Sequence, residues 1–81
     1  MKRLPVVSGD KLIKLLTKLG YTILRQKGSH VRLGKETDLG EHNITVPRKP
    51  EMARGTLNDI LSKVSLWNNI SKEELIKKLK K

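Results

Sequence analysis

Residues 21–33 narrow the possible folds more than any other stretch. Tyr21 to Gln26 is rich in β-formers, and Val31-Arg32-Leu33 resumes the same character beyond Gly28-Ser29. Two strand-forming runs around a Gly-Ser pair predict a tight antiparallel hairpin, with Gly28 at positive φ in a type II′ turn. With those two residues as the loop, Lys27 faces His30, Gln26 faces Val31, Arg25 faces Arg32 and Leu24 faces Leu33. Alternation then puts Arg25, Lys27, His30 and Arg32 on one side, and Leu24, Val31 and Leu33 on the other. A slip of one residue would send the charges into the core, so the register is strongly specified. Its weak point is Ile23, which lands on the basic side.

The flanks supply the rest of a small α+β domain. Ser8 can cap a helix with Asp10 in its first turn, and Leu12, Leu15, Leu16 and Leu19 form an i, i+3, i+4, i+7 stripe. That predicts a helix over 9–19, ended by Gly20, with Lys11, Lys14 and Lys18 on its wet side. Residues 34–41 hold two glycines and four charges and are expected to be a loop. His42 to Val46 alternates as a third strand stopped by Pro47. Leu57, Ile60, Leu61 and Val64 mark a helix over 55–65, with Thr56 and Asp59 at its start. Ser71 and Glu74 have capping-box spacing before Leu75, Ile76 and Leu79, a short last helix. The expected order is α-β-β-β-α-α: one domain over 1–81, its three-stranded antiparallel sheet covered by helices on one face and wet on the other.

Composition removes several classes of function. No cysteine means no disulfide framework and no thiolate metal site, which fits a reducing interior. Two histidines make a zinc cluster an unpromising reading. No apolar run approaches the ~18–20 residues that span a bilayer, and the start of the chain is too short in apolar residues for a secretory signal. Tyr21 and Trp67 are the only aromatics, too few for a base-stacking platform. The net charge is +10, of which +7 lies in residues 1–34. A field so concentrated points to a polyanionic partner, nucleic acid above all, although solubilising surface charge explains part of it.

The hairpin gathers the chemistry. Arg25 opposite Arg32 is a like-charge cross-strand pair, costing roughly a few tenths of a kcal/mol, which a phosphate between them would remove. Lys27 and the Gly28-Ser29 amides converge on the same end. His30 sits among these cations. A neutral imidazole can take a proton from a ribose 2′-hydroxyl, and its protonated form can return one to a leaving 5′-oxygen. Nearby Arg and Lys would stabilise the charge developing on phosphorus, so neither metal nor thiol is required. His42, at the start of the third strand, is the competitor. It is either an ordinary strand-end histidine or a second proton-transfer group, and the residues alone do not choose between the two histidines. Ser29 can donate to phosphate or merely complete the turn. Arg48, Lys49 and Arg54 flank the penultimate helix, whose N-terminal amides suit a phosphate. Trp67 is expected to pack as core.

The ordered features resemble one known family over nearly the whole chain. They are Pro5-Val6-Val7-Ser8-Gly9 before an amphipathic helix, Leu19-Gly20-Tyr21, and Arg25-Gln26-Lys27-Gly28-Ser29-His30. Ile44-Thr45-Val46-Pro47-Arg48 and Gly55-Thr56-Leu57-Asn58-Asp59-Ile60-Leu61 follow. Together they resemble the HicA-type, or YcfA-like, toxins of bacterial type II toxin–antitoxin systems. The resemblance implies a fold like a double-stranded-RNA-binding domain and a cytoplasmic, metal-independent endoribonuclease that cuts mRNA with no cofactor. It implies His30 as the catalytic residue, with Arg25, Lys27, Ser29, Arg32 and Arg48 toward RNA, and a HicB-type antitoxin as partner. The helix over Ser71 to Leu79 extends past the minimal family pattern. Two other classes remain in view: a non-catalytic RNA-binding module, which would bind in a salt-sensitive way without product, and a partner protein whose cationic face docks an acidic chain.

Overall fold

The computed structural model describes residues 4–80. Its elements run α1 (Gly9–Lys18), β1 (Thr22–Lys27), β2 (His30–Thr37), β3 (Gly40–Pro47), α2 (Arg54–Asn68) and α3 (Lys72–Leu79). The three strands form one antiparallel sheet in the order β1-β2-β3, so the α+β class and the element order follow the sequence expectation.

Local chemistry sets most boundaries. The Ser8 side chain accepts the Lys11 amide at 3.1 Å, and Ser71 does the same for Glu74 at 3.1 Å. Each cap satisfies an otherwise orphaned N–H. Acidic side chains stand in the first turns of α1 and α3 and basic ones in their last turns, in keeping with the helix dipole. α2 differs from expectation: it starts at Arg54 after Ala53, without a side-chain cap, and ends at Asn69, whose φ of 54° is left-handed. Gly28 has φ 60° while Ser29 is not at positive φ, which selects a II′ turn over I′.

Two strand expectations need correction. The hairpin keeps Lys27↔His30, Gln26↔Val31 and Arg25↔Arg32, but the next pair is Ile23↔Leu33, with a bulge at Leu24. The extra residue turns Ile23 toward the Leu33 side and removes it from the basic face. Leu24 therefore does not join Val31 and Leu33 in the core: it is 51% exposed and lies over Gly34. A Cβ at Gly34 would stand 2.7 Å from the Leu24 Cδ1 and 2.5 Å from the Asn43 Oδ1. Nor is 34–41 a loop. β2 continues to Thr37 and β3 begins at Gly40, so only Asp38 and Leu39 turn the chain, with the Thr37 hydroxyl donating to the Gly40 carbonyl at 2.7 Å.

Val31 and Leu33 of β2 and His42, Ile44 and Val46 of β3 are buried on one sheet face, beneath Leu12, Leu15 and Leu16 of α1, Leu57, Leu61 and Val64 of α2 and Leu75, Ile76 and Leu79 of α3. Arg32, Asn43 and Thr45 alternate onto the open face. A strap fixes the end of the sheet nearest the β1–β2 turn. The Arg48 amide donates to the Ser29 carbonyl at 2.6 Å, the Gly9 amide to the Lys49 carbonyl at 2.9 Å, and the Met52 amide to the Val7 carbonyl at 2.9 Å. The turn, the end of β3 and the start of α1 thus hold one another. No helix among the described residues is long and apolar enough to cross a membrane.

Candidate active site

On the open face, Arg25, Lys27, His30 and Arg32 line one shallow depression of about 160 Å³, together with Thr45. Strand pairing produces this grouping: Lys27 is opposite His30, Arg25 opposite Arg32, and Arg32 opposite Thr45. The imidazole is exposed, on the same side as the cations. Among the described residues the ion pairs are Arg48–Asp10 and Lys63–Asp59, so Arg25, Lys27 and Arg32 have no carboxylate partner. Three uncompensated cations around a small hollow make a local positive field that attracts anions. Thr45 is the member that reasoning from the hairpin misses. Its signal is that it runs out of phase with buried Ile44 and Val46.

Ser29 and Arg48 lie apart from this depression. Ser29 is at the exposed tip of the turn, where its carbonyl serves the strap. The Arg48 guanidinium forks onto Asp10, with Nε to Oδ1 at 2.7 Å and an Nη to Oδ2 at 3.4 Å. That hydrogen bond, with the charge behind it, holds the Asp10 carboxyl below its ordinary value.

His42 is not beside His30. It is opposite Lys35 in the β2–β3 ladder, five positions along β2 from His30 and on the covered face. The ring stacks on Trp67 at 4.9 Å between centroids and 4° between planes, with Tyr21 edge-on at 5.8 Å. Both aromatic residues of the chain thus enclose one histidine. A chain of hydrogen bonds reaches the ring. Lys35 Nζ donates to Asn68 Oδ1 at 2.6 Å, Asn68 Nδ2 donates to the Tyr21 hydroxyl at 2.9 Å, and that hydroxyl shares a hydrogen bond with His42 Nδ1 at 2.7 Å. Burial lowers the His42 pKa, with a smaller push from the Lys63 charge, while burial raises that of Tyr21.

A pH dependence of stability follows. The unfolded histidine, with pKa about 6.5, takes up a proton more readily than the folded one. His42 thus contributes its full stabilisation above that pH, and loses it as the pH falls toward the lower folded value. Thermal melting between about pH 7.5 and 5.5 is expected to show a steeper fall for the parent than for His42→Gln. Parallel curves would remove His42 from this role.

Among the described residues, no three His, Cys, Asp or Glu side chains come together as a metal-binding group. A family model described as the HicA toxin of bacterial toxin–antitoxin systems matches residues 9–66. The chain belongs to that family. Comparison with curated proteins and with solved structures gives no match. The HicA match covers α1, the whole sheet and nearly all of α2, and therefore every residue of the depression. It ends before α3.

Proposed function

We propose that this HicA-family toxin is an endoribonuclease that cuts mRNA in the cytoplasm without a metal ion, with His30 as the general acid/base. The observation that carries this reading is the depression on the open face, where one solvent-reachable imidazole is bordered by Arg25, Lys27 and Arg32. A phosphodiester seated between Arg25 and Arg32 relieves their mutual repulsion. His30 removes the proton of the adjacent ribose 2′-hydroxyl, that oxygen attacks phosphorus, and the bond to the 5′-oxygen breaks. The guanidinium groups and the Lys27 ammonium stabilise the negative charge that builds on the phosphoryl oxygens. The products are a 2′,3′-cyclic phosphate and a 5′-hydroxyl. In an in-line displacement the entering and leaving oxygens lie on opposite sides of phosphorus, so one imidazole serves one of them at a time. Solvent, which reaches this open face freely, completes the proton balance. Ser29 and the exposed side of Arg48 extend the phosphate track past the depression. A HicB-type antitoxin silences the toxin by covering this face.

The test is incubation of the purified protein with labelled RNA in excess EDTA. Product with a cyclic phosphate end is the expected result. Salt-sensitive binding without product would establish a non-catalytic RNA-binding module instead. Arg25→Gln and Arg32→Gln are each expected to lower kcat/KM about tenfold or more, as loss of a charged hydrogen bond worth roughly 1.5–3 kcal/mol implies. Their melting temperatures are expected to be unchanged or slightly raised, because either substitution removes a like-charge cross-strand pair. A fall in activity matched by a fall in melting temperature would assign these arginines to the fold.

A further inference from the structure

We propose that the groove between α1 and α3 is a second nucleic-acid site, holding phosphates of a single-stranded RNA through Lys11, Lys14, Lys18 and Lys78. Ser8, Asp10, Leu15, Leu19 and Leu79 complete its walls and floor, and its volume is about 670 Å³. The inference goes beyond the nuclease reading, since α1 covers one face of the sheet while His30 lies on the other.

The row is built into the helix. Lys11, Lys14 and Lys18 stand at i, i+3 and i+7, one face of α1 spanning about 10 Å at ~1.5 Å per residue. All three are exposed, opposite the buried Leu12, Leu15 and Leu16. α3 brings Lys78 in from the far wall. None of the four belongs to an ion pair among the described residues. Among the described residues, the four ammonium groups therefore face solvent with Asp10, which lies near Lys14 and is already paired with Arg48, as the one carboxylate in the groove.

The floor says which polyanion suits this groove. Leu15 is 6% exposed and Leu79 1%, so the apolar area left open comes from half-buried Leu19 and from the lysine stems. Above that floor stands a line of point charges on flexible stems, which suits evenly spaced phosphates without base reading. The wall that carries Lys78 lies beyond the residues shared with the HicA model. A long RNA could pass from this groove around the edge of the molecule, whose shortest extent is 21 Å, to the open face. A hexanucleotide is too short to occupy both.

The experiment follows binding of a labelled single-stranded RNA of about 30 nucleotides to the full chain carrying His30→Ala, between about 50 and 200 mM salt. Adding Lys11→Gln, Lys14→Gln, Lys18→Gln and Lys78→Gln together is expected to reduce the slope of log K against log salt by about 3. This follows from ~0.7 for each of four single-strand phosphate contacts. Affinity at the low-salt end should fall at least about tenfold. Arginine at the same four positions should restore both, which separates charge from any loss of structure. With His30 intact, the glutamine variant should cut a hexanucleotide at the parent rate. An unchanged slope and affinity would overturn the proposal. So would loss of poly-glutamate binding with RNA binding retained, since the groove would then take an acidic protein. A changed slope in a chain whose parent cuts no hexanucleotide would keep the groove and remove the nuclease reading; the reverse result would remove only the groove.

Discussion

His30→Ala is expected to bind RNA nearly as the parent does and to cut it at least about 100-fold more slowly, a positioned acid–base group contributing roughly 10²–10⁴. The arrangement makes this a clean test. The ring is exposed, so truncation leaves no buried cavity. Arg25, Lys27 and Arg32 remain to hold phosphate. His42 cannot substitute, because it is enclosed by Tyr21 and Trp67 on the other face. Initial rates on labelled RNA in EDTA, alongside His42→Gln, check the assignment. His42→Gln should melt at lower temperature yet cut at close to the parent rate while folded. If His30→Ala keeps the parent rate, the depression binds but does not catalyse.

The second large effect concerns stability. Gly9→Ala is expected to destabilise the fold by about 3 kcal/mol, the upper part of the usual overpacking range. That corresponds to a melting temperature lower by roughly 10–20 °C for a chain of this size. Gly9 is buried, and a Cβ there would fall 2.1 Å from the Pro47 carbonyl oxygen and 2.8 Å from the Arg48 Cα. Both are backbone atoms inside the strap, so neither can rotate away. Making room would also disturb the Arg48 amide bond to Ser29, and with it the turn that presents His30. Gly55→Ala is the control. It adds the same methyl group in α2, where nothing lies within 4 Å, and is expected to stabilise by about 0.4–1 kcal/mol. Equal melting temperatures for the two variants would show that the close approach at Gly9 relaxes without cost.

How far the sequence reveals these features depends on the forces that set them. From Arg25 to Leu33 the turn chemistry and the alternation of charge agree, so the basic cluster and His30 are legible in the residues alone. Agreement fails at Ile23 and Leu24. A bulge obeys a local backbone choice that period-two alternation cannot show, although the misplaced Ile23 is its trace. Residues 34–41 read as a loop because Gly34 and Gly40 look like breakers. Gly34 is there because Leu24 and Asn43 crowd its Cβ position, and Gly40 because its φ is 121°. Thr45 needs the β2–β3 register before it can be placed beside Arg32. The enclosure of His42 depends on α2 running to Asn68, four residues past the end of its apolar stripe at Val64, so that Trp67 and Asn68 reach the sheet. Arg48 is basic and next to a helix start, and only the packing of α1 against the end of β3 reveals that Asp10 claims its guanidinium.

β1 is an outer strand, and all six of its residues are exposed. Its outward backbone groups are a template on which a second copy could zip, and half-exposed Ile23 and Leu24 would favour that. Arg25 and Lys27 stand on the same strand and repel an identical neighbour. The side chains proposed to grip a substrate are therefore also the guard against self-stacking, and neutralising them is expected to expose the protein to aggregation as well as to loss of the proposed activity.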